Sequence, residues 1–148
     1  HHMARGGISF DDLDRTGSYR SFAVYAESKL ANLMFSNELA RRTVGTGVTS
    51  NACHPGTVRT GFGGTGDLSG FERAGLAIGR PFMIPASRGA DPIVWLAASV
   101  DAARLTGAYV SGGYLPGVRQ SRTSPASRDV AAAQRLWELS DAMVGFAD

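Results

Sequence analysis

A stretch free of glycine and proline runs from Ala23 to about Arg42, and Gly45-Thr46-Gly47 follows it. Val48-Thr49-Ser50-Asn51-Ala52-Cys53-His54 comes next and closes on Pro55-Gly56. The first stretch has helical spacing. Leu30, Ala31, Leu33 and Met34 supply its apolar side, and Arg41-Arg42 complement the dipole at its C-terminal end. The segment ending at His54 reads as a short strand. Helix, tight glycine turn and strand form half of a crossover unit, which places the chain in the α/β class.

The remaining segments are less regular. Residues 1–22 read as an irregular lead-in with turn groups at Gly6-Gly7, Asp11-Asp12 and Thr16-Gly17-Ser18. Residues 61–91 are rich in glycine, yet they carry Phe62, Leu68, Phe71, Leu76, Ile78, Phe82, Met83 and Ile84. Ile93 to Ala98 reads as part of a helix, in which Pro92 either occupies the first turn, with Asp91 as cap, or bends the element. Gly107 to Gly113 is a glycine-bounded strand, and residues 114–124 are a polar loop. A last helix is expected to open at Ser124-Pro125, with Val130, Ala133, Trp137, Ser140 and Val144 on one face and Leu136 and Met143 alongside. There is no internal repeat and no dividing linker. Two strands make a marginal sheet, so the 148 residues are expected to form part of a domain rather than a whole one.

Composition removes several function classes. Hydrophobic residues make up 43% and charged residues 19%, which excludes a disordered tail. No run of apolar residues is long enough for a transmembrane span, and His1-His2-Met3-Ala4-Arg5 lacks the apolar centre of a signal peptide. That opening is read as either a tag remnant or native loop. One cysteine, Cys53, excludes a disulfide framework and a cysteine-rich zinc site, and no metal is expected. The 15 basic residues face 13 acidic ones and are scattered, unlike the clustered stripe of a nucleic-acid binder. All but Lys29 are arginine, which raises the question of what an arginine could not do at that position.

Lys29 stands four residues after Tyr25, within Tyr25-Ala26-Glu27-Ser28-Lys29, so both side chains share one helix face. A positive charge beside a phenol favours the phenolate, and such a phenol exchanges protons with an alcohol or carbonyl oxygen. Alone, the spacing also fits an exposed tyrosine beside a solvated lysine. The sequence continues through Leu30-Ala31-Asn32, Glu38-Leu39-Ala40-Arg41-Arg42 and Gly47-Val48 to His54-Pro55-Gly56-Thr57-Val58-Arg59-Thr60. Phe10-Asp11-Asp12-Leu13 precedes these pieces, and Leu136-Trp137-Glu138-Leu139-Ser140 follows them. In this order they resemble the short-chain dehydrogenase/reductase superfamily, and within it the retinol-dehydrogenase-like group.

The resemblance implies a Rossmann-type doubly wound parallel sheet of which residues 1–148 are the C-terminal half. The family's glycine-rich pyrophosphate turn, catalytic serine and asparagine have no match here, and Ser9, Ser18 and Ser21 are assigned no such role. It implies Tyr25 as the general acid or base, with Lys29 assisting it and bonding the nicotinamide ribose. It implies Pro55-Gly56 as the turn beneath the nicotinamide, and the Val58 backbone and Thr60 hydroxyl as groups that hold the carboxamide and a nearby phosphate. NAD or NADP is the implied cofactor, and an alcohol, aldehyde or ketone the substrate. The apolar side chains among the glycines of residues 61–91 suit a lid over an apolar substrate, with plain core as the alternative. A cytoplasmic protein, paired with its missing N-terminal half and open to homo-oligomer formation, is expected. The rival reading is an inactive fragment that serves as an interaction or assembly module through exposed strand edges.

Other patterns carry less. Gly61-Phe62-Gly63-Gly64-Thr65-Gly66 fits a dinucleotide fingerprint by letter, but Pro55 to Thr60 separates it from the strand, and the first acidic residue at the right range is Asp91. His54, at a strand end without a carboxylate nearby in sequence, reads as structural. Cys53, inside the strand, reads as a buried inert thiol.

Overall fold

A computed structural model of the chain describes residues 6–17, 19–59, 79, 83–112 and 117–145. The described elements are α1 (Ser21–Arg42), β1 (Ala52–His54), α2 (Ala86–Ala98), β2 (Tyr109–Ser111), β3 (Arg119–Gln120) and α3 (Val130–Val144), with short 3₁₀ turns at Val100–Ala102 and Ala126–Arg128. The chain divides into two compact units. One comprises residues 1–52, 105–108 and 122–148, and the other residues 53–104 and 109–121.

The first unit is built on α1 and α3. Ala26, Leu30 and Met34 recur along one face of α1 and pack with Ala133 of α3, and Ile8, Ala126, Ala132 and Leu136 close around them. The helix has no side-chain N-cap, so packing rather than capping sets its start. Within the lead-in, residues 12–17 are tied together by side-chain hydrogen bonds. The Asp12 carboxylate accepts bonds from the Thr16 N–H at 2.8 Å, the Thr16 hydroxyl at 3.1 Å and the Gly17 N–H at 3.2 Å. These donors, led by the Thr16 backbone, hold its carboxyl below the usual range.

The α3 helix opens later than expected. Ser124-Pro125 starts a 3₁₀ turn, whose Ser127 hydroxyl donates back to the Ser124 carbonyl at 2.7 Å. Asp129 then caps the helix proper by accepting from the Ala132 N–H at 3.0 Å. Its expected apolar face holds only in the middle, since Ala133 is buried while Val130, Met143 and Val144 are exposed.

Glu38 of α1 is buried and ion-paired with both Arg41 and Arg42. Arg42 also lies 4.6 Å above the Trp137 ring, which stacks on Phe35 with centroids 5.1 Å apart. Trp137 Nε1 donates to Asp141 at 2.8 Å. This chain of contacts fixes the C-terminal turns of α1 against α3.

The expected strand from Val48 shortens to Ala52–His54 because side chains take over the pairing before it. Asn51 donates to the Leu105 carbonyl at 2.7 Å and accepts from the Ala108 N–H at 3.0 Å. The sheet order is β1-β2-β3. Ala52 N–H bonds the Ala108 carbonyl, and Gly112 N–H bonds the His54 carbonyl. Both partners advance together, so β1 and β2 run parallel. β2 pairs antiparallel with β3, Val110 opposite Gln120 and Ser111 opposite Arg119. β3 falls in the expected polar loop: two exposed polar residues give no alternating signal. The described residues thus form an α/β arrangement with a mixed three-stranded sheet.

In the second unit, α2 begins at Ala86, inside the stretch expected to be loop-rich, and Pro92 sits within it. Close approaches explain both helix-breaking residues. A β-carbon at Gly112 would stand 2.9 Å from Pro92 Cδ, so the absent side chain makes room for the buried ring. A β-carbon at Gly89 would stand 2.6 Å from Val58 Cγ2 and 3.2 Å from Cγ1. Gly89→Ala gains about 0.5–1 kcal/mol of helix preference, but overpacking a stiff β-branched neighbour costs about 1–3 kcal/mol. A net loss of stability is therefore expected, read as a lower urea midpoint. An unchanged or higher midpoint would show that Val58 moves aside freely.

Candidate active site

Tyr25 and Lys29 lie one turn apart on α1, each a position before a core residue, Ala26 and Leu30. The helical step turns them about 100° from that buried line. Tyr25 is 42% exposed, and Lys29 is exposed. The Lys29 ammonium lies 5.2 Å from the Tyr25 ring centroid, within cation–π range. Ser28, between them, donates its hydroxyl to the Tyr25 carbonyl at 2.8 Å. Glu27, on the neighbouring face, is engaged by Arg15 and accepts from Ser9 at 3.2 Å. The acidic side chain next in sequence to the pair is thus held by other partners. The pair itself is a phenol with a compact cation at its side, both reachable by a ligand.

Pro55, Gly56 and Val58 stand together in the second unit, directly after β1. Gly56 has φ +89°, a conformation that favours glycine. His54 Nδ1 accepts a hydrogen bond from the Gly56 N–H at 2.7 Å, so the histidine side chain closes the turn. Val58 makes a parallel bridge to Ile84: Arg59 N–H bonds the Ile84 carbonyl, and Ile84 N–H bonds the Thr57 carbonyl, each at 2.9 Å. Backbone groups alternate sides along an extended segment, so the N–H and carbonyl of Val58 itself turn to the opposite edge. Ile84 is buried. Thr60 lies outside the described residues, as do residues 61–78 and 80–82 of the expected lid. Residues 86–91 of that segment belong to α2.

Cys53 is half-buried, and burial pushes its thiol up, which suits an inert side chain more than a nucleophile. Tyr109 on β2 is also pushed up, first by burial and then by Cys53. Among the described residues no cluster of His, Cys, Asp and Glu could hold a metal ion, and no helix is long and apolar enough to cross a membrane. The turn-closing role of His54 was missed by sequence reasoning. Its signal is an acceptor side chain two residues before a glycine N–H, the spacing of an Asx-type turn.

No family model matches the chain. Curated proteins do resemble it. Retinol dehydrogenase 13 of Homo sapiens is 38% identical over 148 residues, covering 97% of this chain and 43% of that protein. Retinol dehydrogenase 14 of Mus musculus is 38% identical over 141 residues, covering 95% and 41%. A Streptomyces sp. (strain C5) protein described as a daunorubicin C-13 ketoreductase, DnrU, is 39% identical over 142 residues, covering 95% and 45%. The crystal structure of an uncharacterized protein from Mycobacterium Paratuberculosis matches with a TM-score of 0.65 at 26% identity, covering 91% of this chain and 44% of that one. The chain spans less than half the length of the curated relatives it matches. With 38–39% identity to these dehydrogenases and this ketoreductase over nearly its whole length, the chain belongs to the short-chain dehydrogenase/reductase superfamily.

Proposed function

We propose that the protein is an oxidoreductase that moves a hydride between NAD or NADP and the alcohol or carbonyl carbon of an apolar small molecule. The observation that carries this reading is the exposed Tyr25 with the Lys29 ammonium 5.2 Å from its ring, in a chain of this superfamily. The second unit supports it. A glycine turn at φ +89°, with Val58 two residues on turning its backbone amide groups away from the Ile84 bridge, suits a flat, carboxamide-bearing ring. Pro55, Gly56 and Val58 would support that ring and its carboxamide, with Thr60 at the adjacent phosphate, and Lys29 would meet the ribose. Residues 1–148 would then form the C-terminal half of one nucleotide-binding domain.

When bound, the nicotinamide supplies or accepts the hydride. Tyr25 Oη gives a proton to the substrate oxygen in carbonyl reduction and takes it in alcohol oxidation. Lys29 steadies the charge on Tyr25 as the proton leaves and holds the nucleotide in register. The apolar substrate class rests on the side chains of residues 61–84.

The test offers NADH and NADPH to the full-length protein with a panel of apolar aldehydes and ketones. Nucleotide oxidation that requires the carbonyl compound is expected. A folded protein that consumes neither nucleotide with any member of the panel would favour the interaction-module reading instead.

A further inference from the structure

The hydrogen bond that closes the Pro55-Gly56 turn depends on a protonation state. Nδ1 of His54 accepts from the Gly56 N–H at 2.7 Å, and only an imidazole unprotonated at Nδ1 can do so. The proton of the neutral ring is therefore on Nε2. His54 is exposed, so the ring exchanges protons with solvent directly. Protonation turns the acceptor into a donor aimed at another donor, and the turn loses its closing bond.

Among the described residues of its sheet row, His54 is the group that changes. The β1–β2 register puts His54 opposite Ser111, and Ser111 opposite Arg119, so the three share a row on one face. Ser111 is engaged with the Ser121 hydroxyl at 2.6 Å. Arg119 is a permanent cation, and no described carboxylate stands in the row to retain an imidazolium. Tyr109, two residues before Ser111 and on the same face, has its phenol pushed up by burial, and Cys53 on β1 has its thiol pushed up likewise. Neither ionises in the acidic range where a histidine gains its proton.

We propose that His54 is a positioning residue for the nucleotide. Its neutral imidazole holds the Pro55-Gly56 turn in the binding shape, and its protonation releases the turn and weakens nucleotide binding. This rests on the reading of that turn as the nicotinamide support.

Two measurements test the proposal. The first uses NMR on the full-length protein without nucleotide. The His54 ring should be the Nε2–H tautomer at high pH, and the Gly56 amide signal should move along the His54 titration curve, with faster hydrogen exchange on the acid side. A Gly56 amide that ignores the titration overturns the proposal. The second measures KM for NADPH and NADH in the full-length protein between about pH 8 and pH 5, the interval in which histidine is the side chain that ordinarily changes charge. Loss of one net hydrogen bond corresponds to about a fivefold change. The wild-type KM should rise about fivefold as His54 gains its proton, with kcat moving less. His54→Asn keeps an acceptor for the N–H two residues on but does not titrate. It should match the wild type at pH 8 and stay flat, whereas His54→Ala should show the raised KM throughout. An asparagine variant as impaired as the alanine variant, or one that keeps the acid-side rise, overturns the proposal. If Gly56 follows His54 while the protein consumes no nucleotide, the coupling stands and the nucleotide-binding reading fails, which separates the two.

Discussion

Tyr25→Phe is expected to lower turnover in the full-length protein by about a hundredfold or more, the range assigned to a positioned general acid. Phenylalanine keeps the ring and removes only the hydroxyl. The ring is 42% exposed and lies to the side of the Ala26–Leu30–Met34 line, so the core does not depend on the lost oxygen. The cation–π contact with Lys29 also survives, because the phenylalanine face carries a similar quadrupole. Thermal stability should therefore fall by no more than about 1 kcal/mol, the worth of one net hydrogen bond, and nucleotide affinity should change little. A fall in kcat without a larger fall in stability assigns the loss to proton transfer. Turnover within a few fold of the wild type would remove Tyr25 from the proposed chemistry, whatever the family pattern suggests.

The sequence was most informative where one element carried its own signal. The α1 helix has no glycine or proline, its apolar residues keep helical spacing, and Tyr25 and Lys29 fall on one face by arithmetic alone. The core line Ala26, Leu30 and Met34 follows from the same spacing. Signals failed where partners distant in sequence decide the outcome. Pro92 read as a first-turn residue or a bend, yet it lies well inside α2, where the missing side chain of Gly112 leaves room for its ring. Asn51 read as strand, but its side chain occupies the Leu105 carbonyl and the Ala108 N–H that a backbone rung would have used. Nothing in the spacing marks Glu38 as buried, and it is buried because two arginines one turn on neutralise it and one of them reaches Trp137. In each case the missing information is a contact between segments, which neither propensity nor periodicity encodes.

The near absence of lysine makes Lys29→Arg the sharper test of the pair. Fourteen of the fifteen basic residues are arginine, so the chain readily uses the guanidinium elsewhere. Arginine at position 29 keeps the charge and stacks on an aromatic face as well as lysine does, so the contact with Tyr25 is preserved. Lys29 is exposed, and the variant should fold as well as the wild type. What changes is the shape of the donor. A compact ammonium fits between a phenol and a ribose hydroxyl, whereas a planar fork spreads its donors over a wider arc and needs more room. If Lys29 serves both Tyr25 and the nucleotide, turnover should fall by about tenfold to a hundredfold, toward the lower end of what general acid–base assistance supplies, and KM for the nucleotide should rise with it. If a positive charge beside Tyr25 is all that matters, kcat and KM will both stay near wild type, and the ribose contact assigned to Lys29 is wrong. Lys29→Met completes the comparison by removing charge and donors together. It should be more damaging than Lys29→Arg in kcat, and equal losses in the two variants would mean that the charge contributes nothing beyond the geometry of the donor.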